Sequence, residues 1–157
     1  MKVKGIIFED FVNYKKPAMV IEMPKCNFKC DKECGRKVCQ NEDLANSPNI
    51  TVDEEQLVLR YLRNPITEAV VFQGLEPFDS FKDMLSFIKI LRQHSDDDIV
   101  IYTGYEEPEI RKLVQVLIEY KNIIIKFGRF IPDQKPHIDD VLGIKLASSN
   151  QYARRIS

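Results

Sequence analysis

Apolar residues fall along the chain in two patterns, short continuous runs that read as buried strands and helically spaced positions that read as helix faces. Val3-Lys4-Gly5-Ile6-Ile7-Phe8 reads as an edge strand, and Ala18-Met19-Val20-Ile21-Glu22-Met23 as a strand that delivers the chain to Cys26. Thr51 predicts a helix N-cap with Glu54 completing a capping box. Leu57, Val58, Tyr61 and Leu62 follow at helical spacing until Asn64-Pro65 stops the helix. Residues 68–72 form a short apolar strand ending at Gln73-Gly74. Asp79 or Ser80 caps a second helix with Phe81, Met84, Leu85, Ile88 and Leu91 on its inner face. Residues 98–102 make the next strand, stopping at Thr103-Gly104. A third helix carries Ile110, Leu113, Val114 and Leu117, and Ile123-Ile124-Ile125 is a further apolar strand stopping near Gly128. Beyond Pro132, residues 143–146 read as a last strand and Ser148-Ser149-Asn150-Gln151 as a polar loop.

Continuous apolar strands alternating with helices imply a parallel sheet covered by helices. Ligands in such folds sit at the carboxyl ends of the strands, where Gly74, Gly104 and Gly128 fall; the stretch after Met23 belongs to the same edge. Four or five parallel strands are too few for the eight-stranded barrel, so the expectation is an α/β fold, an open partial (β/α) barrel with a mostly parallel sheet. The length of 157 residues suits a single domain over 1–157. A composition 44% hydrophobic and 30% charged excludes a disordered chain. Lys and Arg number 23 against 24 Asp and Glu, which argues against a nucleic-acid partner. No apolar run reaches the roughly 20 residues that span a bilayer, and the first residues are too short for a signal-peptide core. The expectation is a cytoplasmic protein with no membrane partner.

The chemistry concentrates in four cysteines, Cys26, Cys30, Cys34 and Cys39, within 14 residues. A disulfide framework would spread its bridges through a secreted fold. Structural zinc usually takes ligand pairs a dozen or more residues apart, whereas three residues separate the pairs here, and His94 and His137 are remote. Inert thiols on a core helix face do not suit the surrounding Asn27, Lys29, Asp31, Lys32 and Glu33. A compact run of thiolates is how a chain wraps an iron–sulfur cluster. A continuous helix would spread Cys26 to Cys34 over about 12 Å, so the chain has to curl, and the polar stretch through Asn49 suits a loop. Residues 25–37 hold five basic and two acidic residues, a local excess that offsets a cluster's negative charge, docks an acidic electron donor, or is simply solvated.

Read in order, Asp10-Phe11-Val12-Asn13, Cys26-x3-Cys30, Cys39-Gln40-Asn41, Gln73-Gly74-Leu75-Glu76-Pro77, Tyr102-Thr103-Gly104-Tyr105, Phe127-Gly128-Arg129-Phe130 and Ser148-Ser149-Asn150-Gln151 resemble the radical S-adenosylmethionine enzymes. More narrowly they resemble the small activating component of anaerobic (class III) ribonucleotide reductase, over nearly the whole chain. The resemblance implies a [4Fe–4S] cluster on three thiolates. Its open iron chelates S-adenosylmethionine, and one electron cleaves the sulfonium to methionine and a 5′-deoxyadenosyl radical. It further implies a glycyl-radical enzyme as partner, and a low-potential donor such as flavodoxin or ferredoxin. The family pattern C-x3-C-x2-C fails as written because position 33 is Glu. The third ligand is then Cys39, which keeps the Cys-x-Asn ending, or Cys34, which keeps the compact spacing. The family's Gly-Gly-x-Pro turn is here Gly74-Leu75-Glu76-Pro77, without the second glycine. By the same resemblance residues 74–77 meet the methionyl amine, and Thr103 and Gly104 line the adenosine or methionyl side. Arg129 or Lys126 faces the cofactor carboxylate, and Ser148, Ser149 and Asn150 approach from the C-terminal side. Ordinary strand-to-helix turns and solvated charges are the plainer readings of these residues, and no catalytic side chain is singled out. The competing functions are a radical enzyme acting on a small molecule or peptide, and a non-catalytic zinc- or cluster-binding module.

Overall fold

The computed structural model describes residues 1–157. In chain order the elements are β1 (Lys2–Val3), β2 (Gly5–Asp10), β3 (Ala18–Met23), α1 (Lys29–Cys34), α2 (Glu42–Asn46), β4 (Ile50–Thr51), α3 (Glu54–Arg63) and β5 (Ala69–Gly74). A 3-10 turn (Pro77–Ser80), α4 (Phe81–Leu91), β6 (Asp98–Tyr102), α5 (Glu107–Leu117), β7 (Ile123–Phe127), β8 (His137–Asp139), β9 (Ile144–Leu146) and β10 (Tyr152–Arg155) follow. Six strands form one sheet in the order β10-β7-β6-β5-β3-β2. The four central strands, β3, β5, β6 and β7, are parallel, and β2 and β10 are antiparallel edges. The sheet stays open, as a partial barrel requires.

The continuous apolar strands are explained by burial of both faces. Met19, Ile21, Val70, Phe72, Ile99, Ile101, Ile123 and Ile125 pack against the apolar stripes of α3, α4 and α5 in one core. On the other face Val20, Val71, Val100 and Ile124 stand in one row across four strands, covered by Tyr14, Leu142 and Leu146. Two residues further along each strand, the period of 2 places Glu22, Gln73, Tyr102 and Lys126 on that inner face at the carboxyl edge. The polar ends of apolar strands thus form the rim of a site.

Three local expectations are corrected. Thr51 lies in β4, paired with Lys2, and the N-cap of α3 is Asp53, whose carboxylate accepts from Gln56 N at 2.9 Å. Glu54 faces the amino terminus at 3.4 Å and accepts from the Ser86 hydroxyl. The polar stretch read as a loop contains α1 and α2, and α1 is bounded on both sides by left-handed residues, Phe28 (φ 54°) and Gly35 (φ 65°). Of residues 143–146, Ile144–Leu146 form a strand, but it is not the last one: it pairs with β8 in a separate hairpin that helps cover the inner face, and β10 follows it. No helix is long and apolar enough to cross a membrane.

Candidate functional site

The carboxyl edge of the parallel strands opens on a cavity of about 370 Å³. Cys26, Cys30 and Cys39 line it, together with Gly74, Leu75, Glu76, Thr103, Gly104, Lys126, Gly128 and Arg129. Cys34, one turn beyond Cys30 on α1, does not.

The sequence curls these cysteines together through side-chain ties to the backbone. Asp31 on α1 accepts from Val38 N (2.7 Å) and Cys39 N (2.8 Å), folding the chain back so that Cys39 returns beside Cys30. Asn41 Nδ2 then donates to Gly74 O (2.7 Å), fastening the end of the cysteine segment to the turn after β5. At the other end Glu76 N donates to Lys25 O (2.7 Å), and Asn27 N donates to Asp79 (2.9 Å), which also accepts from the Tyr105 hydroxyl (2.7 Å). Cys26 is therefore clamped on both flanks by the 76–79 turn.

Glu76 is the hub of that turn. Its carboxylate accepts from Thr103 Oγ1 (2.7 Å), Gly104 N (2.8 Å) and Phe78 N (3.1 Å), joining the turns after β5 and β6. Burial pushes its carboxyl up to about 7 despite the three donors. Gly74 has φ +89°, and a Cβ there would fall 3.0 Å from Glu22 Cβ and from Leu44 Cδ2. Only glycine meets both the conformation and the space. Leu75, in place of a second glycine, is buried in the cavity wall.

Of the two cations, Arg129 is already committed. Its Nη2 reaches both Glu109 oxygens (2.6 and 2.7 Å) and its Nε lies 3.3 Å from Glu33. Lys126 is 6% exposed and has no carboxylate partner. Its Nζ donates to Gly128 O (2.7 Å) and Thr103 O (3.5 Å), and burial lowers its pKa to about 8. Pro77, Ser148, Ser149 and Asn150 do not line the cavity. Ser148 is fully buried, its hydroxyl 3.5 Å from Arg129 O, and Asn150 Nδ2 donates to the same carbonyl (2.9 Å), so these two support the strand exit at residues 128–131. Much of the basic excess around the cysteines is paired within the chain, Lys29 with Glu109, Lys37 with Glu42 and Arg36 with Asp133. Glu22 and Gln73, read from the sequence as strand and motif residues without a site role of their own, also lie in the cavity wall, and Glu22 is the one charge in an otherwise apolar strand.

The donor set suits a cluster on three thiolates. Cys26, Cys30 and Cys39 open on one cavity. Phe28 N and Asn41 N point at Cys26 Sγ (3.2 Å) and Cys39 Sγ (3.4 Å), the kind of contact that tunes cluster sulfurs. Burial raises the Cys26 thiol to about 12 and the Cys30 thiol in the same direction, so ligation there displaces protons. No three His, Cys, Asp or Glu side chains close around the position of a single ion. A cluster makes a wider demand, one thiolate for each of three irons. A family model described as a 4Fe-4S single cluster domain matches residues 18–152. No curated protein and no solved structure matches the chain.

Proposed function

Because the chain belongs to the 4Fe-4S single cluster domain family, a family found in radical S-adenosylmethionine-type proteins, we propose that it is a radical S-adenosylmethionine activating enzyme. The observation that carries this reading is the single cavity shared by three of the four cysteines and by the turns after β5 and β6. Cys26, Cys30 and Cys39 would hold the cluster, which when bound supplies the electron that cleaves the sulfonium of S-adenosylmethionine. The chain's own residues bind and orient. Residues 74–77 would meet the methionyl amine, the Gly74 carbonyl being fastened by Asn41 Nδ2, while Glu76 holds the Thr103–Gly104 turn against the 74–77 turn. Lys126, which donates to backbone carbonyls but has no carboxylate partner, would meet the cofactor carboxylate, since Arg129 is engaged by Glu109 and Glu33.

The radical's target is a glycyl-radical enzyme on this reading, with an acidic low-potential donor such as flavodoxin or ferredoxin supplying the electron. Support comes from the order of motifs from Asp10 to Gln151, which resembles that of the activating component of anaerobic ribonucleotide reductase. The deciding experiment is anaerobic: the protein is reconstituted with iron and sulfide, reduced with dithionite and incubated with S-adenosylmethionine. The expected product is 5′-deoxyadenosine. A fully loaded, reduced protein that binds no S-adenosylmethionine and forms no 5′-deoxyadenosine over hours would leave a cluster-bearing module without this catalysis.

A further inference from the structure

Four polar side chains in the cavity wall have no partner in the protein: Gln40 and Lys145, which are exposed to solvent, and Glu22 and Gln73, which are half-buried. Glu22 and Gln73 occupy paired positions on β3 and β5, and both line the cavity. Of the more buried polar groups around them, Tyr102 donates to Asn13 O (2.6 Å), Lys126 to Gly128 O, and Glu76 takes three donors. Glu22 forms no side-chain hydrogen bond and no ion pair, and burial alone moves its carboxyl upward. The Gln73 amide is likewise unengaged, half-buried at the cavity wall.

The fold makes room for this acid. Every other residue of β3 is buried and uncharged. An apolar residue at position 22 would spare the chain the penalty of partly desolvating an unpaired carboxylate. Across the edge of the sheet Glu22 pairs with Gly5, and a Cβ at Gly5 would lie 2.5 Å from Glu22 Oε2. The neighbouring strand thus carries the one residue type whose lack of a side chain lets the carboxylate lie where it does.

An ionised carboxylate only accepts hydrogen bonds, and its strongest partners are charged N–H donors; the Gln73 amide beside it adds an acceptor and two donors. We infer that Glu22 and Gln73 form a recognition subsite for a cationic nitrogen group, an alkylammonium or guanidinium, carried by the molecule acted on in this cavity. The subsite names a substrate class for the reaction proposed above and rests on that reading for its role, though not for its binding.

The test is a ligand-observed NMR titration of the anaerobically reconstituted full chain with methylguanidinium and methylammonium, and with N-methylurea as an uncharged analogue. The cations bind and N-methylurea does not. Glu22→Gln weakens methylguanidinium by about tenfold, the loss of one charge-assisted pair, while iron content stays at the wild-type level. Gly5→Ala, which keeps the charge but crowds Oε2, weakens it in the same direction. Equal binding of the urea, or undiminished binding by Glu22→Gln, overturns the subsite. Displacement of methylguanidinium by S-adenosylmethionine also overturns it, because the cation held would then be the cofactor's own. If S-adenosylmethionine does not bind at all, the proposed function fails while the methylguanidinium titration still decides the subsite.

Discussion

Cys34 has the same chemistry as its three neighbours and sits one helical turn from Cys30, yet only Cys26, Cys30 and Cys39 line the cavity. Substitution by alanine should therefore divide the four. Cys26→Ala, Cys30→Ala and Cys39→Ala are expected to lose most of the iron after anaerobic reconstitution, and Cys34→Ala to keep it, as read by iron per chain and visible absorption. Equal losses at 34 and 39 would mean ligation by all four and no open iron. Gly74→Val tests the turn: its φ of +89° and the 3.0 Å approach of Glu22 and Leu44 leave no room for a branched side chain. The expected result is slower formation of 5′-deoxyadenosine with iron content retained. At this scale the chain's own text was only partly legible. The cysteines stood out because thiols are rare and clustered, but the choice between Cys34 and Cys39 depends on Asp31 folding residues 38 and 39 back, a contact that spacing alone does not encode. The commitment of Arg129 to Glu109, 20 positions away, was hidden for the same reason.

The cysteine-bearing α1 is six residues long with no buried residue, too short to hold itself together in water. What holds it is charge. Lys29 and Glu33 on α1 meet Glu109 on α5 and Arg129 after β7; burial alone would raise the Glu109 carboxyl, but Arg129, Lys29 and the Glu106 backbone hold it down at about 2. Glu109→Gln should loosen α1 while α5 keeps its apolar stripe of Ile110, Val114 and Leu117. The measurement is hydrogen exchange of residues 29–34, expected to speed up about fivefold, equivalent to about 1 kcal/mol of local stability. A second element-scale test concerns the start of α3. Asp53→Ala should cost about 1 kcal/mol in urea unfolding, whereas Thr51→Ala should be nearly neutral. Both residues are good N-caps in sequence terms, and the capping box from Thr51 to Glu54 was the more conspicuous pattern. The choice is made by Lys2, which pairs with Thr51 and draws it into a strand, 49 positions away in the chain.

At the scale of the whole molecule, the parallel core was legible because burial on both faces writes each central strand as an apolar run. β10 was not, since Tyr152-Ala153-Arg154-Arg155 is a polar edge strand with no such run and no buried residue. Besides its ladder with β7, it is tied to the rest by Asp98, at the start of the central strand β6. The Asp98 carboxylate accepts from Arg155 of β10 (2.7 Å), Lys16 of the segment before β3 (2.7 Å) and Tyr14 of the inner core (3.0 Å). Burial pushes the carboxyl upward, but these three partners outweigh it and hold the pKa below the ordinary 3.8. A carboxyl depressed in the folded state contributes stability that is fully present above its unfolded pKa and is lost as pH falls through the folded value. Lys16 and Arg155 are each two-fifths exposed, so solvent screens part of the attraction. Asp98→Asn is therefore expected to cost about 2 kcal/mol at neutral pH rather than the larger penalty of a fully buried pair. Denaturant unfolding of both proteins at a series of pH values checks the sign. The gap between them should hold from neutral pH down to near 3.8 and then close as the wild-type carboxylate protonates. A gap that stays constant through the acid range would place the loss in packing and remove the ionised carboxylate as the fastening between β6, β10 and the segment that enters β3.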